Sequence, residues 1–137
     1  MTMSQPPVPT DYAAGQLWRC NGREPGEKPT LLINLVETHP LGGRIFHVTL
    51  DGLRVRHPGL PGGVMTRLAH APVIEQTFER SGMVYVGPQA PAADYRKGYD
   101  EWRQAFDAGR AGSFGVSVPT ILEIVERQLN GIPLDQP

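Results

Sequence analysis

The sequence predicts an α+β single domain: a curved antiparallel sheet of four to six short strands, a half-open SH3-like barrel, with two or three C-terminal helices covering its open side. Three observations predict it. Apolar runs of period two are confined to the first half of the chain, and apolar stripes of helical period to the second half. The chain also holds 16 Gly and 14 Pro in 137 residues. Both exceed their average shares of about 7% and 5%, and with no repeat period they read as many turns.

The elements follow in order. Residues 1–10, MTMSQPPVPT, carry three prolines and little to bury, so they are expected as a disordered tail before one globular domain over 11–131 and a short tail over 132–137. Residues 15–20, GQLWRC, read as a first strand with Leu17 and Arg19 on one face and Gln16, Trp18 and Cys20 on the other. A polar loop, NGREPGEKP, leads to the centre of the chain.

Over residues 31–38, LLINLVET, period two puts Leu31, Ile33 and Leu35 on one face and Leu32, Asn34 and Val36 on the other. Both faces are largely apolar, which predicts a strand covered on both sides by helices or another sheet layer. The next run alternates Phe46, Val48 and Leu50 with Ile45, His47 and Thr49. Asp51-Gly52 carries a short-turn signal into a third strand, where Leu53 and Val55 alternate with Arg54 and Arg56. The reading is a three-stranded meander.

Residues 65–68 suit a short strand or turn, and Pro72 suits the first turn of a helix whose stripe is Val73, Ile74, Thr77 and Phe78 and whose stop is Gly82. Residues 83–86 read as another short strand. Asp94 is placed to cap a second helix in which Tyr95, Tyr99, Trp102 and Phe106 recur at i, i+4, i+7 and i+11, ending at Gly109. A third helix begins with Ser117 as cap and Pro119 in its first turn, or with Thr120 and Glu123 as a capping box. Its stripe is Val118, Ile121, Leu122, Val125 and Leu129, and Gly131 stops it.

Composition narrows the function classes. The net charge of −1 argues against a dedicated nucleic-acid binder. Residues 1–70 hold seven Lys/Arg against five Asp/Glu, and the remainder six against nine. The halves are therefore complementary more than suited to phosphate. Cys20 stands alone, so no intramolecular disulfide forms, and neither a leader nor a long apolar run is visible; a cytoplasmic protein without a membrane partner is expected.

The four histidines, His39, His47, His57 and His70, are spaced by 8, 10 and 13 residues. That spacing matches no compact ligand motif, so no metal and no cofactor is expected. Neither a nucleophile motif nor a phosphate loop is present. His47 draws notice because it shares a face with Thr49 and lies beside Asn34 of the neighbouring strand.

Two resemblances add to this. The pieces GQLW, REPGE, TLLI, GRIFHV, DGLR and YDEWRQAFDAGRAG are similar to a group of small uncharacterised bacterial proteins, which implies a bacterial single-domain protein and no mechanism. GQLW followed by KPTLLI also resembles the start of PemK-type toxin ribonucleases and implies a small SH3-like barrel. In that family an Arg stands before the proline where this chain has Lys28, and the Ser/Thr after the apolar strand corresponds only to Thr38.

The reading that follows is a non-enzymatic bacterial binding or adaptor protein, dimeric or presenting a surface for a protein or small ligand. Tyr95, Tyr99, Trp102 and Trp18 are its contact candidates, since Tyr and Trp are enriched at interfaces. The alternative is an RNA-binding protein or endoribonuclease that uses the meander face. There His47 or His57 would act as general base, and Arg54 and Arg56 would stabilise phosphate charge.

Overall fold

A computed structural model describes residues 7–40 and 43–132. Five strands are named in chain order: β1 (Gln16–Arg19), β2 (Thr30–Thr38), β3 (Arg44–Arg56), β4 (Val64–Val73) and β5 (Val84–Pro88). Three helices accompany them: α1 (Glu75–Glu79), α2 (Tyr95–Asp107) and α3 (Val118–Leu129). The fold is α+β, as the segregated periodicities predict. The sheet order is β4-β3-β2-β1-β5, every neighbouring pair is antiparallel, and the sheet is not closed. Most of the expected terminal tails, residues 1–6 and 133–137, lies outside the described residues.

One face of the sheet carries the main core. Leu31 and Ile33 of β2 and Phe46, Val48 and Leu50 of β3 are fully buried with Phe78 of α1 and Val118, Ile121 and Leu122 of α3. Trp18 belongs to this core, packed edge-on against Tyr85 and donating from Nε1 to Gln16 Oε1 at 3.0 Å. α3 forms where its apolar stripe places it, with Ser117 accepting at its N-terminus from the Thr120 N–H. α2 lies on the opposite face, over β3 and β4. Both faces of the central strands are thus covered, as the apolar flanks of β2 predict.

Three expectations are corrected. Asp51-Gly52 does not turn the chain: β3 runs straight through it, and Gly52 at φ +70° forms a bulge against β4 between Asp51 and Val55. The third meander strand is instead β4, of 10 residues. Pro72 lies in β4 opposite His47 rather than in a helix, and α1 starts only at Glu75. Near this end of the sheet a strand partner is supplied by the segment around Phe114, whose N–H donates to Pro72 O at 2.9 Å. Finally, strict alternation fails in β2. Ile33 pairs with Val48 and Leu35 with His47, so Asn34 is an extra residue. This bulge returns Val36 to the core side with Phe46 and turns Leu35 and Glu37 toward α2.

Candidate functional site

Under α2 the sheet presents polar residues where its other face presents apolar ones. Asn34, at the bulge, donates to Thr49 Oγ1 at 2.8 Å and accepts from the Ala92 N–H at 2.8 Å, tying the loop before α2 to the sheet. Thr49 donates in turn to Ala69 O at 2.9 Å. Thr49 faces two residues of β4, Ala69 and His70, because a second bulge lies between Val48 and Leu50. That bulge brings His70 beside His47.

His47 is fully buried, and its Nδ1 stands 2.9 Å from His70 Nε2 with the rings nearly parallel at 14°. Its Nε2 lies 2.8 Å from Glu37 Oε1, and Glu37 Oε2 accepts from Arg103 of α2 at 3.0 Å. Tyr99 and Trp102 close over the pair edge-on, at 4.7 and 4.8 Å from the His47 ring. Trp102 also donates to Gly112 O at 2.8 Å, fixing the chain after α2. Gly98 makes this approach possible: a Cβ there would come within 2.7 Å of the His70 Cβ.

The approach of Glu37 Oε1 to His47 Nε2 is not aligned as a hydrogen bond, and both atoms are buried without a hydrogen-bond partner among the described residues, so the one hydrogen bond of the His47 ring is the Nδ1–Nε2 contact with His70. Burial pushes His47 below the ordinary histidine value, opposed by Glu37 and aided by Arg103. His70 is lowered to about 4, by burial first and by His47 second. Both rings are neutral at pH 7. The Tyr99 hydroxyl is pushed up, by burial and by Glu37. Arg103, Glu37, His47 and His70 thus stand in a row, joined by the Arg103–Glu37 hydrogen bond at one end and the His47–His70 contact at the other.

The structure brings only some of the expected residues together. His47, Tyr99 and Trp102 meet here, and Phe106 stacks on Trp102 at 4.7 Å. Tyr95 reaches the cluster through Tyr99, with ring centroids 6.1 Å apart. Trp18 is in the core on the other face. His57 is ten residues from His47 along β3 and its end, roughly 30 Å at ordinary strand rise, and its Nδ1 accepts from the Gly59 N–H. Arg54 and Arg56 lie on the stretch of β3 that overhangs the end of β2. There side chains replace the missing strand: Arg23 donates to Arg54 O at 2.6 Å, Glu126 accepts from the Arg56 N–H at 2.7 Å, and Asn130 donates to Arg56 O at 2.9 Å.

The other meander arginines are matched by acids, Arg44 by Asp11 and Glu75 and Arg67 by Asp51 and Asp94. Asp94 therefore serves Arg67 and makes no side-chain cap on α2. Cys20 is buried, and its thiol is pushed up to about 12. Among the described residues no group of three or more His, Cys, Asp or Glu is arranged to hold a metal, and no helix is long and apolar enough to cross a membrane.

Glu37, His70 and Arg103 were not tied to the group of His47, Thr49 and Asn34 by spacing, because two bulges bring them there. Two signals were present: an Asn inside an apolar strand, and a Gly inside a helix, where it costs about 1 kcal/mol relative to Ala unless close packing requires it.

Beside this cluster lies an open cleft of about 620 Å³. Ile45, Ile74, Phe106 and His39 supply apolar and aromatic walls, and Arg44, Glu75 and Gln76 supply polar ones. His39 stands edge-on to Phe106 at 5.4 Å. The cleft and the histidine cluster share α2, since Phe106 lines one and stacks on Trp102 of the other. No family model, curated protein or solved structure matches the chain, so neither resemblance drawn from its motifs gains support from these comparisons.

Proposed function

We propose that this is a non-enzymatic bacterial binding or adaptor protein of the cytoplasm, and that the cleft beside Phe106 receives an apolar or aromatic group of its ligand. One observation carries the reading: His47, the centre of the titratable cluster, is fully buried under α2, while the neighbouring cleft is open and walled by Ile45, Ile74 and Phe106. Such a mixture of apolar walls with a few polar groups is typical of sites that receive small ligands. Arg44 and Glu75, paired with each other at 3.1 Å, offer a polar anchor at the same place. In the competing reading, of an RNA-binding protein or endoribonuclease, His47 would have to leave its burial to reach a phosphate.

The test is an amide-shift titration with indole, phenol and short aliphatic carboxylates as probes. The amides of Ile45, Ile74, Glu75 and Phe106 are expected to move together, with the response lost in Phe106→Ser. Silence of these amides at saturating probe, with salt-sensitive shifts near His47 on adding a short RNA, would replace this reading with the RNA one.

A further inference from the structure

The cleft beside Phe106 is flanked by two guanidinium groups, and each of them meets two carboxylates. Arg44, on one wall, donates from Nη1 and Nη2 to Asp11 at 2.9 and 2.8 Å and from Nη2 to Glu75 at 3.1 Å. Arg103 stands over the Phe106 ring, 5.8 Å from its centre, and is paired with Glu37 at 3.0 Å and Asp107 at 3.4 Å. Two positive charges against four negative ones leave a surplus of negative charge around the apolar walls. Such a surplus draws in ligands of the opposite sign and turns away those of its own. An anionic ligand would also have to displace a carboxylate from a guanidinium already engaged.

Glu75 is exposed and reaches Arg44 through Oε1, which leaves Oε2 for an incoming donor. Beside it the cleft offers Gln76 and Ser113, whose side-chain oxygens accept hydrogen bonds. An ammonium group brings three donors and no acceptor, which matches that set. Ile45, Ile74 and Phe106 are placed to cover an apolar body. From the charge surplus, the acceptors and the apolar walls together, we infer that the ligand of this cleft is a small primary amine with an aromatic or short aliphatic body, its ammonium held by Glu75 and its body laid against Phe106. This rests on the reading of the cleft as a binding site and adds the sign of the ligand's charge.

Phenethylamine, phenethyl alcohol and phenylpropionate carry the same ring on a short chain and differ chiefly in charge. Each is titrated into the full chain at pH 7 and low salt, and its affinity is read from the amides of Ile45, Ile74, Glu75 and Phe106. The amine is expected to bind about fivefold tighter than the alcohol, the upper range for one exposed ion pair, and the carboxylate to bind weakest. Added salt should narrow the gap. Glu75→Gln, its fold checked by its amide spectrum, should bring the ratio of amine to alcohol affinity close to one. An alcohol that binds as tightly as the amine, a carboxylate that binds best, or a preference for the amine that survives Glu75→Gln overturns this inference and leaves the cleft a binding site. Silence of these amides with all three probes overturns both.

Discussion

Along β3, Phe46, Val48 and Leu50 point toward α1 and α3 into an apolar core, whereas His47 and Thr49, one residue away, point toward α2 into hydrogen bonds. The first set needs only volume and burial, which are tolerant of small shifts. The second needs partners at 2.8–2.9 Å, because a buried polar group without one costs about 1–3 kcal/mol. The difference teaches that the two helical layers are held by different physics. The α3 side is fixed by the hydrophobic effect, and the α2 side by a network that is correct in only one register.

Breaking the apolar face should have the larger effect. Phe46→Ala removes a fully buried ring packed on Phe78 and Tyr12 and is expected to cost about 3–5 kcal/mol, read from the denaturant midpoint at unchanged slope. On the polar face, His47→Ala leaves His70 Nε2 without its partner and empties the space under Tyr99 and Trp102, an expected cost of about 2–3 kcal/mol. The comparison sharpens in the double variant. His47→Ala with His70→Ala should cost clearly less than the two singles added, because the second deletion removes a group the first had orphaned. Additive costs would mean that the two rings do not depend on each other.

A smaller effect separates the faces by pH. The unfolded chain protonates His70 near its ordinary value of about 6.5, but the folded chain does so only at about 4. Between those values the unfolded state binds more protons, so stability present above pH 6.5 is lost as the pH falls toward 4. His47, also lowered, acts in the same direction. Thermal melts of the wild type should fall through this window, and those of His70→Gln should fall less. Phe46→Ala should keep the wild-type slope, since its loss involves no proton.

The apolar face was largely legible in the sequence. Period two in Leu31, Ile33, Phe46 and Val48, and the α3 stripe of Val118, Ile121 and Leu122, name most of that core. The polar face was not, because alternation assumes an unbroken ladder. Asn34 and the Ala69–His70 pair each add a residue, and beyond each bulge the faces exchange. Glu37 reaches His47 only because of the first bulge, and His70 because of the second. Pro72 suggested a helix because a proline suits a first turn as well as it suits a strand beside a bulge. Tyr99 and Trp102 were visible as a stripe, but that they cover two histidines depends on Gly98 letting α2 come close.

The most direct test of a neutral, paired His47 and His70 under α2 is an NMR titration of their ring nitrogens from neutral to acid pH. The account predicts both rings neutral at pH 7 and titrating below the ordinary histidine value, with His70 taking up a proton only near pH 4. Either ring titrating independently at about 6.5 would mean that it meets solvent freely, which would contradict the histidine pair and return His47 to the catalytic candidates.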